Sequence, residues 1–427
     1  MTPEHAFAEA MKFENRANPY PFFDELRKAG AVTRVTNGIY VVTGYKEVIA
    51  LIHDPRISAD LRNRPNRPNR PESAPRNGDG SDIEAELLEK YGKDPMMIIT
   101  DPPDHDRARR QAMRHFGPPH SPHVIPNMES ECQRIVNGML DKAKGRKRID
   151  VVDDYAYPLP VTVICRIMGV PLKDEPQFHA WIADAMAGAE IGPDTATEDG
   201  KRRKEKAGAS RMEFMKYIIR LVETAEKNPS EGMISKLVHD DGPDGRMSPS
   251  EIASNVALIF IAGHDSTVNL ISHCALTFLR NPGTIELLRR RPDLIPRAIE
   301  EVLRLESSVN FWPTWTALAD IEINGTTIPK SSPIFFMYGA ANRDPEKFRD
   351  PNKFDLEREE KESLGWGAGI HVCFGGQLAR LEVNTAVEAF LRRVENPRLV
   401  VDPPPYRRNA LFRGPLHVLI DIDGIRD

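Results

Sequence analysis

The chain has 427 residues, a formal net charge of −5, 40% hydrophobic and 28% charged side chains, a balance ample for a large core and without bulk attraction for nucleic acid. No apolar run approaches ~18 residues and the N-terminal stretch lacks an apolar signal region, so no membrane span is expected and the chain is predicted to be soluble and cytoplasmic. Cys132, Cys165, Cys274 and Cys373 lie far apart and are read as reduced thiols, the first three as small buried residues within helical patterns.

In chain order, residues 20–30 (YPFFDELRKAG) predict a short amphipathic helix stopped by Gly30, and VTRV and IYVVTG a hairpin across Asn37-Gly38. Another short helix at 45–53 ends at Asp54-Pro55. Residues 60–82 repeat Arg-Pro-Asn with almost no apolar side chain; they read as a mobile surface loop or as a lid over a pocket. Helical patterning resumes at 83 and dominates to about 305. Within 100–116, His105 and Arg109 share a helix face and can point at one anion, or can belong to a solvated basic face with Arg107, Arg110 and Arg114. Residues 150–168 predict a core helix after Pro160, and 178–191 with 201–226 predict two helices joined by a polar stretch.

The longest helical pattern runs over 248–281. Ser248 and Glu251 form a capping box and Asn281-Pro282 closes the far end, giving roughly 34 residues or ~50 Å. At its middle, Gly263, His264, Asp265, Ser266 and Thr267 interrupt an apolar run. An acid beside hydroxyls in that setting can relay protons and hold water, or the polar group can be an internal cap of a bent turn. Glu301 and Arg304 are three apart on one helical face, close enough to pair, as surface residues at that spacing also do. Short β-type runs follow at 316–324, 326–329 and 333–338, and 399–422 is strand-like. The fold class is therefore mainly α with a smaller β-rich portion.

The segment 364–380 reads LGWGAGIHVCFGGQLAR, with glycines at 365, 367, 369, 375 and 376. Such a loop permits close approach of another group. A helix starts just beyond Cys373, and its N-terminus favours a thiolate. Cys373 can be a nucleophile, a metal ligand or a buried thiol. No second Cys or His stands at zinc-site spacing, whereas a haem iron needs only one protein thiolate, so a large flat cofactor suits the loop.

Together these segments resemble the cytochrome P-450 family. WGAGIHVCFG is similar to its haem-binding loop, EVLR at 301–304 to its ExxR pair, AGHDST to its oxygen-activating helix motif, and DPPDHDRAR and ANRDPEKF to stretches of bacterial members. The resemblance implies a single haem domain over 1–427, with haem b between the long central helix and the cysteine loop. It implies a monooxygenase that inserts one oxygen atom from O2 into a small organic substrate. Cys373 would be the axial ligand; His105, Arg109 and His371 would bond the propionates; Ala262, Gly263 and Gly375 would touch the cofactor; Asp265, Ser266 and Thr267 would deliver protons. Val309, Phe311, Trp312 and Phe412 would line the substrate pocket. Electrons would come from a ferredoxin or flavodoxin with its NAD(P)H reductase, docked near the cysteine side on Arg109, Arg110, Arg114 and Arg380.

Four departures from the family pattern stand out. Ser266 replaces a threonine. Trp315 replaces a propionate-binding arginine. Lys353 replaces the arginine that joins Glu301 and Arg304, a part that Arg358 can take. Trp366 replaces a phenylalanine and its N–H could approach the cysteine side of the haem. A peroxide-driven peroxygenase and a non-catalytic haem carrier are the alternative readings.

Overall fold

A computed structural model describes residues 1–64 and 94–427. The Arg-Pro-Asn repeat beyond Arg64 and the first part of the helical pattern, 83–93, lie outside the described residues.

The helix Pro249–Arg280 is the axis of the molecule. Its start is fixed chemically: the Ser248 hydroxyl accepts from the Glu251 N–H (3.0 Å) while the Glu251 carboxylate accepts from the Ser248 N–H (2.7 Å), the reciprocal pair that satisfies otherwise orphaned donors. It stays α-helical for 32 residues to Asn281. Apolar residues recur all round it, so it is buried on nearly every side, through Val256, Phe260, Val268, Ile271, Cys274 and Phe278. Such a pattern belongs to a helix threaded through a core rather than laid on one. The polar interruption does not break it; His264 Nδ1–H donates to the Phe260 carbonyl (2.7 Å) and Ser266 Oγ–H to that of Ala262 (3.1 Å), both i−4 bonds made within the intact helix.

Around this axis pack Pro158–Met168, Glu198–Lys227, Ile295–Glu306 and Gly376–Arg393, with Glu129–Lys142 outside them against Gly376–Arg393 and Pro158–Met168. The helix expected after Pro160 starts at Pro158, preceded by a π-helical turn at Val151–Ala156; proline is tolerated there because a first-turn N–H has no intrahelical partner. The two helices joined by a polar stretch are Glu175–Ala187 and Glu198–Lys227.

The larger sheet stands beside this helical body. Val32–Arg34 pairs antiparallel with Tyr40–Val42, which runs parallel to Pro333–Phe336; that strand pairs antiparallel with Trp312–Ala317, edged by Ile57–Ser58. Asn37 (φ 58°) and Gly38 (φ 71°) supply the left-handed backbone of the hairpin. The register of Trp312–Ala317 slips between Trp312 and Trp315, an irregularity of the kind that re-aims a side chain. The strand-like tail is mostly loop: only Arg398–Leu399 and Leu419–Asp421 are strands, with isolated bridges between, since Pro403, Pro404 and Pro405 cannot donate to a ladder. No helix among the described residues is long and apolar enough to cross a membrane.

Candidate functional site

The cysteine loop is a set of tight backbone turns. Gly367 N–H donates to Leu364 O (3.0 Å), Val372 N–H to Gly369 O (3.1 Å) and Cys373 N–H to Trp366 O (2.8 Å). Gly365 packs so closely on Leu303 that a Cβ would come within 2.4 Å of it, and Gly369 has φ +65°; side chains are excluded at both for these separate reasons. Cys373 is exposed, three residues before the helix Gly376–Arg393. Desolvation of the sulfur pushes the thiol up, while the Gly375 N–H, Arg109 and Arg380 favour the thiolate. A bound cation would reverse the balance, because a coordinating thiol is deprotonated outright.

Beside the loop, His105 and His371 bring their rings to 4.4 Å between centroids, and the Trp315 ring stands edge-on to His371 at 5.4 Å. His105 is buried at the start of the helix Asp104–Phe116, with Nδ1–H donating to Asp106 (2.8 Å). One turn on, Arg109 donates to the Val372 carbonyl (2.8 Å) and lies over Phe374 (5.7 Å). The expected His105/Arg109 face is therefore turned onto the cysteine loop. His371 is pushed down to about 3, by desolvation first and then by His105 and Arg109. The Nε2 atoms of His105 and His371 and the Nε1 of Trp315 are all buried with no partner among the described residues.

In the long helix, Asp265 is buried and its Oδ1 pairs with Arg407 (3.2 Å), with His264 Nε2 at 3.6 Å. Thr267 is buried, whereas Ser266 is half-buried and Ala262 exposed. Sequence reading missed Arg407, a residue of the irregular C-terminal stretch whose contact spans 142 positions and leaves no local signal. It also missed His179, whose ring lies 6.2 Å from that of His264 and 4.5 Å from Tyr157.

Glu301 is a buried hub. Arg304 forks onto both its oxygens (2.8 Å each) and Arg358 Nε approaches both (3.0 and 3.1 Å). Lys353 contributes only its carbonyl, to both arginines. Trp366 is a correction: its indole N–H donates to Glu300 (2.9 Å), with Arg380 stacked on the ring at 4.4 Å and also bonded to Glu300, so it is not aimed at the cysteine side of a cofactor. The expected basic docking patch is corrected too. Arg110 pairs with Asp244, Arg114 with Asp240 and Asp244, and Arg380 with Glu300, which cancels much of its charge.

Of the expected pocket residues, Val309 bridges to Phe412 and both are half-buried, as is Trp312. Phe311 is a correction: it is 1% exposed and stacked on Phe335 in a separate apolar cluster with Phe7 and Phe23, because its side chain falls on the other face of the strand.

These residues fit haem. A single open thiol suits an iron that takes its other in-plane ligands from a macrocycle. The orphaned Trp315 indole N–H and the two imidazoles beside an arginine suit carboxylates, which need donors when buried. Gly375 has nothing within 4 Å of a built Cβ, so no packing inside the protein demands glycine there, while a flat group against the loop would. His105, Arg109, His371, Trp315 and Cys373 are the residues that could hold such a group.

Residues 291–419, which include Glu301 and Cys373, match the cytochrome P450 family profile. The chain is 33% identical to cytochrome P450 107B1 of Saccharopolyspora erythraea over 387 residues, 89% of each protein. It is 34% identical to the biotin biosynthesis cytochrome P450 of Bacillus subtilis over 401 residues, 92% of this chain and 93% of that one. Among solved structures, ligand-free CYP164A2 of Mycobacterium smegmatis superposes with a TM-score of 0.83 at 29% identity, covering 98% of this chain and all of that one. P450BioI bound to an acyl carrier protein carrying hexadec-9Z-enoic acid superposes at 0.82 and 31% identity, covering 96% and 99%. With sequence and fold alike over about nine-tenths of its length, the chain belongs to the cytochrome P450 family of haem b monooxygenases.

Proposed function

We propose that the chain is one haem domain over 1–427 in which Cys373 would hold the iron, His105, Arg109 and His371 would bond the haem propionates, and Asp265 with Ser266 and Thr267 would supply protons. The observation that carries this reading is the exposed Cys373, set in a glycine loop beside buried ring nitrogens that have no partner among the described residues. When bound, haem b supplies the binding and activation of O2 and the insertion of one oxygen atom into a C–H bond of a small organic substrate.

The chain's own residues do the rest. The Gly375 N–H, Arg109 and Arg380 temper the charge of the sulfur. Arg109 adds a guanidinium beside Val372, able to offer its free N–H groups to a carboxylate. Asp265 holds a proton acceptor, Oδ1, inside an apolar helix, and Arg407 keeps that carboxylate oriented. The Ser266 hydroxyl, already turned back onto Ala262 O, lies one residue on and can accept or pass a proton. Val309, Trp312 and Phe412 present apolar surface to substrate. Phe311 takes no part.

Electrons arrive from a separate protein, and we place a ferredoxin or flavodoxin, served by an NAD(P)H reductase, on the cysteine side. Four free cysteines suit a reducing cytoplasm. The test is stoichiometric. With a ferredoxin, its reductase and NADPH, product should form in proportion to NADPH consumed. Product formed from hydrogen peroxide alone, and none from NADPH and O2, would overturn the monooxygenase assignment in favour of a peroxygenase.

A further inference from the structure

Three buried nitrogens without partners meet beside the cysteine loop, yet they are not equivalent. An imidazole nitrogen can be satisfied as donor or as acceptor, according to tautomer and charge. An indole nitrogen only donates. Trp315 is 4% exposed and its Nε1–H has no acceptor among the described residues, a deficit that carries the full desolvation penalty of the group. The strand explains why the ring is held there. Trp315 opposes Ile334, follows a register slip from Trp312, packs on Phe336 at 5.2 Å and stands edge-on to His371 at 5.4 Å. His371 in turn meets His105 at 4.4 Å. Ring contacts thus tie the indole to the two imidazoles assigned to the propionates.

Resting on the haem assignment above, we propose that Trp315 is itself a haem-propionate ligand, its neutral indole N–H donating to a carboxylate in place of an arginine. The propionate at this position is then bonded without a full positive charge. Its remaining charge is met by the Arg109 guanidinium, with the His105 and His371 rings beside it.

The experiment uses haem-loaded full-length protein and two cofactors, haem b and its dimethyl ester, which lacks propionate charge. Trp315→Phe keeps an aromatic ring against His371 and Phe336 and deletes the N–H. We expect it to lose haem b to excess apomyoglobin about tenfold faster than wild type, with a shifted propionate bending mode in the resonance Raman spectrum. With the dimethyl ester the difference from wild type should shrink to within about twofold. Equal loss rates and an unmoved propionate mode would overturn the proposal, as would a faster loss that persists undiminished with the ester, because that marks packing alone. Should Trp315→Phe not fold, Trp315→His, which retains a ring N–H, should hold haem b about tenfold longer than Trp315→Leu; equal rates for these two would overturn it. A protein that takes up haem with a thiolate-type carbon monoxide spectrum, yet is indifferent at position 315, would leave the haem assignment standing. Failure to bind haem at all would remove both.

Discussion

Two buried polar clusters lie within this molecule, and they are built on opposite principles. Around Glu301, every charge is met from inside the chain: Arg304 and Arg358 share its two oxygens, and their remaining N–H groups reach the carbonyls of Asn342, Pro351, Arg349 and Lys353. Around His371, three nitrogens are buried and none has a partner among the described residues. The first cluster is complete as protein; the second is complete only with a further polar group added. Buried polar groups in native proteins are overwhelmingly satisfied, so three unpartnered nitrogens gathered beside the cysteine loop fit a binding site better than a structural network.

The strongest way to break that contrast is to damage the complete cluster. Glu301→Ala leaves two buried guanidinium groups uncompensated and should cost about 3–5 kcal/mol, read by urea unfolding. Lys353→Ala should stay within about 0.5 kcal/mol, since only its main-chain carbonyl takes part; a large loss at Lys353 would mean that its side chain belongs to the network.

Within the site, Asp265→Asn should slow dioxygen-driven turnover about a hundredfold while peroxide-driven turnover keeps its wild-type rate. Parallel losses in both would make Asp265 a structural residue like Glu301. Arg407→Gln, which frees Asp265 without removing it, should change coupling of NADPH to product more than it changes substrate affinity.

Glu382 sharpens the comparison as a third kind of buried acid. It lies on the helix after the cysteine, has Oε1 unpartnered, and desolvation raises its carboxyl well above the ordinary value. The sign follows from that direction. Stability is full below the unfolded carboxyl pKa and is lost as pH rises through the raised folded value, because the folded state binds the extra proton. Glu382→Gln should therefore melt higher than wild type near neutral pH, with the gain vanishing in acid; a gain independent of pH would contradict this. The smallest effect is expected at the surface, where Arg380→Ala removes an exposed pair with Glu300 and should cost no more than about 1 kcal/mol in thermal unfolding.

Most of the frame is legible in the residues. Ser248, Glu251 and Asn281 bound the long helix because caps are local chemistry, and Asn37-Gly38 marks the hairpin because only certain residues accept that backbone. Cys373, His105 and Arg109 are legible through motif and face. What is hidden is nonlocal. Arg407 reaches Asp265 across 142 positions, and nothing near Arg407 announces it. Trp366 is visible as a departure, but its partner Glu300 comes from another helix, so the direction of its N–H could not be read. Phe311 and Trp312 are neighbours with opposite fates because a strand sends successive side chains to opposite faces. The thiol of Cys373 shows the limit of a single rule: the helix end favours its charge, and desolvation of the sulfur opposes it.

The central claim is that the one exposed cysteine holds the iron while the cluster of unpartnered ring nitrogens beside Arg109 holds the carboxylates. Reduced, carbon monoxide-bound spectra of wild type and Cys373→His, each loaded with haem b, test it most directly. Wild type should give the thiolate-type band, and Cys373→His should keep haem in the pocket but show only a histidine-type band. A thiolate-type band that survives in Cys373→His would contradict the claim.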